Sequence, residues 1–177
     1  MDRYQSSIIN RRSSIRGFSL IEVLIATVLV GMAIAALVAA NGSFSMANVA
    51  GADLSTAEFL VEQIRELTTL LPVVDPDVTT WTVLGPEAGE SSLLAYDDVD
   101  DWDGFNSASL GGPINAQRGT LTALAAFSQQ ITVQKLNPSN FDEAWADTSG
   151  SNFVRIAVTI RQNGRPINSA SWIRARY

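Results

Sequence analysis

Five aspartates crowd into the segment YDDVDDWDGF, Tyr96–Phe105: Asp97, Asp98, Asp100, Asp101 and Asp103. Like charges at that density repel unless a counter-ion shares them, and Ca²⁺ is the ion that takes many oxygen ligands. The EF-hand loop does not fit. Using Gly104 as its glycine places Asp101 and Asp103 correctly, but puts Val99 at the first ligand position and Leu110 where a bidentate glutamate should stand. An irregular calcium loop is one reading of the segment. A solvated acidic loop, or one facing a basic surface on another subunit, is the other. A basic counterpart exists in the same sequence. Phe153–Tyr177 carries Arg155, Arg161, Arg165, Arg174 and Arg176 and no acid, whereas Asp75–Asp103 has nine acids and no base. Charge blocks of this kind are either solvated faces or complementary ends that meet between neighbouring subunits.

A third candidate is a single carboxylate in an apolar run. Gly17–Ala40, GFSLIEVLIATVLVGMAIAALVAA, has Glu22 as its one charged side chain. About 20 apolar residues span a bilayer, and a carboxylate placed there costs on the order of 3 kcal/mol, which marks it as functional. Other chemistries are excluded by composition. The 177 residues include no histidine and no cysteine, which removes Ser-His and Cys-His nucleophiles, disulfides and the usual zinc sites. No glycine-rich phosphate loop is present, so an enzyme is not expected.

The elements that position these residues follow from periodicity. Residues 18–71 read as one long helix, which at about 1.5 Å per residue reaches roughly 80 Å. Its first half is apolar all round. Its second half is amphipathic: Leu54, Ala57, Leu60, Val61, Ile64, Leu67 and Leu71 form one stripe, with Asp53, Glu58, Glu62, Arg65 and Glu66 opposite. Gly31 and Gly42 are possible soft or closely packed points, and Pro72 ends the helix. Short strands are expected at Thr79–Leu84 and Ser92–Tyr96, and a longer one at Phe127–Leu136. Asn137–Asn152 reads as a polar, turn-rich stretch anchored by Phe141 and Trp145. Val154, Ile156, Val158 and Ile160 alternate with polar residues, Asn163-Gly164 signals a tight hairpin, and Pro166–Arg176 returns as an edge strand. The expected fold is α+β: a long N-terminal helix, membrane-spanning in its first half and amphipathic in its second, packed on an antiparallel sheet with a C-terminal hairpin.

Arg16-Gly17-Phe18-Ser19-Leu20-Ile21-Glu22, followed by the apolar run, resembles the cleavage and methylation motif of the class III signal sequences of type IV pilins and type II secretion pseudopilins. The resemblance implies cleavage by a prepilin peptidase between Gly17 and Phe18, N-methylation of Phe18, and a role for Glu22 in assembly. An axial stagger between bundled helices would let Glu22 of one subunit meet the terminal amine of its neighbour, relieving a buried charge. The implied organisation is a basic leader at 1–17, a membrane and assembly segment at 18–41, an amphipathic segment at 42–71 and a β-rich head at 72–177. Arg3, Arg11, Arg12 and Arg16 precede the apolar run, and this positive flank keeps the leader cytoplasmic and sends the head across the inner membrane. Gly31 stands where the family has a glycine, but Ala39 stands where it has a proline, which argues against a pronounced loosening of the helix on assembly. The acidic run together with the closing hairpin is similar to minor pilins of mannose-sensitive haemagglutinin-type systems. That similarity implies an accessory subunit, and the presence of Glu22 argues against the extreme tip position.

The expected partners are other pilins or pseudopilins, the prepilin peptidase and an inner-membrane assembly platform. No cofactor is expected beyond the possible calcium. The arginines of the closing hairpin raise one alternative, contact with DNA or another surface. The net charge of −6 and the lack of an aromatic stacking platform argue against nucleic acid.

Overall fold

A computed structural model of the chain describes residues 17–75 and 81–176. The leader arginines and the first residues of the Thr79–Leu84 segment lie outside the described residues. The chain divides into two compact units, Met1–Asn48 and Val49–Tyr177. Helix α1, Leu20–Leu70, contributes to both.

In the first unit the described residues from Leu20 onward are helical and all exposed, and Gly31 leaves the helix unbroken. An apolar helix exposed on every side needs lipid or neighbouring helices to cover it. By length and composition, α1 is long and apolar enough to cross a membrane.

The second unit is built on a four-stranded antiparallel sheet: β1 (Phe127–Asn137), β2 (Asn140–Ala144), β3 (Phe153–Gln162) and β4 (Arg165–Ala175), in the order β2-β1-β3-β4. The hairpin forms where expected. Asn163 and Gly164 both have positive φ, 49° and 80°, as a two-residue turn matched to strand twist requires. β4 is an edge strand, which lets it carry Pro166 opposite a register shift in β3. Period-two alternation puts Ile131, Val133, Val154, Ile156, Val158 and Ile160 on one face, where they share a core with Ala57, Leu60, Val61, Ile64 and Leu67 of α1. The amphipathic half of the helix is therefore the cover of the sheet, as its stripe predicts, except that Leu54 is exposed.

Polar ties fix the register of helix on sheet. The fully buried Gln129 of β1 donates to the carbonyls of Leu60 and Ile114, at 3.1 and 3.0 Å, and accepts from the Ile114 amide at 2.7 Å. The Arg174 side chain of β4 donates to the carbonyls of Thr68 and of Leu71, the latter at 2.9 Å. These lie at the C-terminal end of α1, where unpaired carbonyls favour a cation. Arg65 lies over the Trp172 ring at 4.9 Å.

Three local expectations are corrected. Ser92–Tyr96 is turn rather than strand, and the described part of Thr79–Leu84, from Trp81 on, is irregular. The stretch Asn137–Asn152 contains β2 besides its turns, and Phe141 and Trp145 are not buried anchors: they remain 41% and 42% exposed. Phe141 instead leans on Phe153, with ring centroids 4.9 Å apart.

If Gln129 is the tie described, Gln129→Met in the full-length chain should lose about 2–3 kcal/mol, because a buried amide is left without an acceptor. Gln134→Met, on the exposed face of the same strand, should stay within about 0.5 kcal/mol. Urea unfolding followed by tryptophan fluorescence measures both.

Candidate functional site

The acidic run is not a solvated loop. Tyr96, Val99, Trp102 and Phe105 recur at every third position, and a short 3-10 turn at Asp100–Trp102, with three residues per turn, gathers them on one side. Val99 and Trp102 are fully buried. The Trp102 ring meets Tyr96 at 5.2 Å and Phe105 at 5.1 Å, both edge-on, and the Arg118 guanidinium sits 5.9 Å from its centre. Burial of these rings carries the intervening aspartates inside. Asp98 and Asp100 are 0% exposed and Asp101 is 1% exposed.

The segment is also stitched to the sheet. Beyond its short pairing with β2, β1 would present free N–H groups along one edge. The Val133 amide donates to Asp103 Oδ1 at 2.8 Å, Ile131 to the Phe105 carbonyl at 3.0 Å and Gln129 to Ser107 Oγ at 2.9 Å. On the helix side the Val99 amide donates to the Pro72 carbonyl at 3.0 Å. The run thus closes a gap between the end of α1 and the edge of β1.

The aspartates have different surroundings. Asp98 Oδ1 accepts from the amides of Asp100 and Asp101, at 2.8 and 3.2 Å. Asp101 Oδ2 accepts from those of Asp97 and Asp98, at 2.9 and 3.2 Å. Asp100 Oδ2 accepts from Trp81 Nε1 at 3.0 Å, and the buried Lys135 ammonium lies 4.1 Å from the Trp81 ring while donating to the carbonyls of Trp81, Asp147 and Ser149. The second oxygens of Asp98, Asp100 and Asp101 are buried and receive no N–H or hydroxyl donor; the carboxyls adjoin one another instead, Asp98 with Asp100, and Asp101 with Glu87 and Glu90. Carboxylate oxygens of Asp97, Asp98 and Asp101 lie within 4.8 Å of one another, and so do those of Glu87, Glu90 and Asp101.

Crowding and burial show in the protonation equilibria. Burial, then Asp100, pushes Asp98 up to about 8. Burial, then Glu90, pushes Asp101 up to about 7, and burial raises Asp100 to about 6 against the opposing hydrogen bonds of Asp98 and Trp81. Burial, followed by Glu90, Asp101 and Asp98, raises Glu87 to about 8. Burial also pushes Glu90 up, but hydrogen bonds with Asp101 and Glu87 outweigh it and hold Glu90 low. Burial lowers Lys135, with Asp147 and Asp100 opposing.

At the other candidate site, Ser19 caps α1. The Ser19 amide and the Glu22 carboxylate lie 3.4 Å apart, and the Glu22 amide donates to Ser19 Oγ at 3.3 Å. This is a reciprocal capping box. Gly17, Phe18 and Glu22 are all exposed within their unit. The spacing Ser-x-x-Glu before an apolar run was the available signal for Ser19. Nothing in the sequence tied Glu87, Glu90, Trp81 or Lys135 to the acidic run.

The arginines of the hairpin do not form one patch. Arg155 and Arg161 share the outer face of β3, as the alternation predicts. Arg155 donates to the Phe141 carbonyl, and Arg161 to the Gly164 carbonyl at 3.0 Å. Arg174 faces the opposite way, onto the end of α1. Arg165 is exposed beside the turn, and Arg176 is half-buried.

Residues 12–40 match the family described as the prokaryotic N-terminal methylation motif. No curated protein and no solved structure matches the chain.

A carboxyl whose folded-state pKa lies above its unfolded value favours folding at low pH, and that contribution is lost as pH rises through the folded-state value. For Asp100, Asp101, Asp98 and Glu87 the loss sets in above the ordinary carboxylate values of 3.8 to 4.5 and is complete once pH passes the folded values of about 6 to about 8. With EDTA present, the melting temperature of the full-length chain should therefore fall between about pH 5 and about pH 8, and Asp98→Asn should flatten the fall. Thermal melting by circular dichroism across that range checks both.

Proposed function

We propose that this chain is a minor pilin or pseudopilin: a subunit made as a precursor, anchored by α1 and assembled into a filament through the same helix. The single observation that carries this reading is the methylation motif at residues 12–40, which leads directly into a helix apolar and exposed on every side. A soluble protein gains nothing from such a surface. A bundle of sister helices covers it, as lipid does before assembly. In this reading the leader is cut after Gly17, Phe18 is methylated at its new amine, and the chain passes from the bacterial inner membrane into a type IV pilus or secretion pseudopilus with its head outside the cytoplasm.

Glu22 is the positioning group for assembly. It lies one helical turn from Phe18, and its bond to Ser19 fixes the first turn of α1. The amine of a neighbouring subunit would neutralise it once both leave lipid. The partners are other pilins, a prepilin peptidase and an assembly platform. The role is structural, and the absence of histidine and cysteine from the sequence agrees with that. The acidic, aromatic head with its closing hairpin supports an accessory subunit, similar to those of mannose-sensitive haemagglutinin-type pili, over a major one.

Mass spectrometry of the chain recovered from its native cells should find Phe18 at the N-terminus, carrying one methyl group. Recovery with residues 1–17 still attached contradicts the reading. Glu22→Ala should be cleaved normally yet drop at least about tenfold in sheared filament fractions, since about 1.4 kcal/mol of lost pairing is already a factor of ten. Unchanged incorporation removes the pairing role.

A further inference from the structure

We propose that the open edge of β4 is the docking site for β2 of a second copy of this chain, so that neighbouring heads join side by side in one continuous antiparallel sheet. The proposal deepens the filament reading and rests on one part of it, that neighbouring copies run parallel.

Two deficits coincide on this edge. The first is in hydrogen bonding. In an antiparallel ladder a residue turns its N–H and C=O to the same neighbour, and successive residues alternate sides. The amides of Gln129, Ile131 and Val133 leave β1 on the side away from β3. Gln130, Thr132 and Gln134 therefore bond β3, through Thr159, Ala157 and Arg155. That leaves Val154, Ile156 and Val158 to bond Arg174, Trp172 and Ala170 of β4. Ser169, Ser171, Ile173 and Ala175 then turn their main-chain groups outward, and no hydrogen bond reaches those groups among the described residues.

The second deficit is in burial. Ile131, Val133, Ile156 and Val158 of β1 and β3 are at most 2% exposed. Ile167, Ala170 and Trp172 of β4 pack against the same core but are only partly buried. On the opposite face Ile173 is 43% exposed. Sheet edges are ordinarily guarded by charge, proline or a bulge. Here Pro166 and the register shift lie at the hairpin end, and Arg174, the one charged side chain between Ser169 and Ala175, is turned onto α1. The unguarded stretch is a place for an added strand.

Strand polarity, charge and apolar surface choose the occupant. Within the sheet β2 and β3 run one way, β1 and β4 the other. A second copy set beside the first in the same orientation brings its β2 antiparallel against β4. Both copies of α1 then lie on one face of the joined sheet and run parallel. Pairing β4 with β4 needs a two-fold axis normal to the sheet. That axis reverses one α1 against the other, which two chains anchored in one membrane do not allow. β2 carries Asp142 and Glu143 and no base, whereas residues 153–176 carry five arginines and no acid. With no slip along the strands, the registers put Ala144 of the second copy level with Ala175, and its two acids beside Arg176. All five β2 residues are exposed, and Phe141 and the adjoining Trp145, 41% and 42% exposed, offer apolar surface to Ile173.

The chain has no cysteine, so introduced ones report cleanly. The full-length variants Ala144→Cys and Ala175→Cys are expressed in native cells, alone and together, and the membranes are treated with a short bismaleimide linker that tolerates a slip of one residue pair. Together they should give a linked dimer that neither gives alone. Adding Ile173→Lys, a charge of the kind that guards sheet edges, should reduce that dimer at least about tenfold. Thr132→Lys, on the same face but inside the sheet, should leave it unchanged. No linked dimer in the mixture, or a yield that Ile173→Lys does not change, overturns the proposal. An equal yield from Ala175→Cys alone also overturns it, by showing β4 paired with β4. Mass spectrometry of the N-terminus in the same membranes tests the filament reading separately. Absence of the dimer from a chain that begins at Phe18 removes this contact and leaves that reading standing.

Discussion

The amide groups along the open edge of β1 set the terms for the second unit. A sheet edge that is neither paired nor covered is a liability, and buried N–H groups must find acceptors. β2 pairs with β1 only near its end, so the N–H groups of Gln129, Ile131 and Val133 turn to Ser107, Phe105 and Asp103. That requirement brings the acidic run against the sheet. Once there, Val99 and Trp102 fill the space between sheet and helix, and Asp98, Asp100 and Asp101 go in with them. The apolar gain of two large side chains, about 2–3 kcal/mol each, is set against carboxylates that burial makes expensive. The raised protonation equilibria of Asp98, Asp101 and Glu87 are the trace of that conflict.

The sequence was legible wherever a single period ran long enough. Helix α1 and the β3–β4 hairpin followed from three- and four-residue apolar steps, from two-residue alternation and from Asn163-Gly164. The methylation motif was legible for a different reason, being a contiguous pattern of residues rather than a product of packing between distant ones. Of the readings that the acidic run allows, burial overturns the solvated one: five aspartates within seven residues suggest water, and that charge hides the aromatic pattern between them. Tyr96, Val99, Trp102 and Phe105 at every third position carried the contrary signal. It is a signal for a 3-10 turn, and such turns are too short to stand out. β2 was missed because all five of its residues are exposed and no apolar face marks it. The contacts of Gln129 with Leu60 and of Arg174 with Leu71 join residues far apart in the chain, so no local pattern announces them.

The two units answer different problems. In the first, the described helix exposes an apolar surface on every side, and its polar side chains are spent on a well-formed first turn through Ser19 and Glu22. In the second, polar groups are spent internally. Arg174 closes the end of α1, Arg155 holds the Phe141 carbonyl, and Asp103 closes the edge of β1. The acidic and basic blocks that looked like complementary surfaces in the sequence are thus partly used up within the fold. What they leave over is a set of carboxyls crowded on Asp101: Asp97 and Asp98 on the run itself, and Glu87 and Glu90 before it.

Hydrogen–deuterium exchange on the full-length chain tests most directly whether the acidic run is a built-in part of the head. Peptides covering Asp97–Phe105 and Gln129–Val133 should exchange as slowly as those from β3, because the Ile131 and Val133 amides donate to Phe105 and Asp103, the Gln129 amide to Ser107, and those of the acidic run donate within the run or to Pro72. Exchange of both at the rate of exposed loops, while β3 stays protected, would contradict the account.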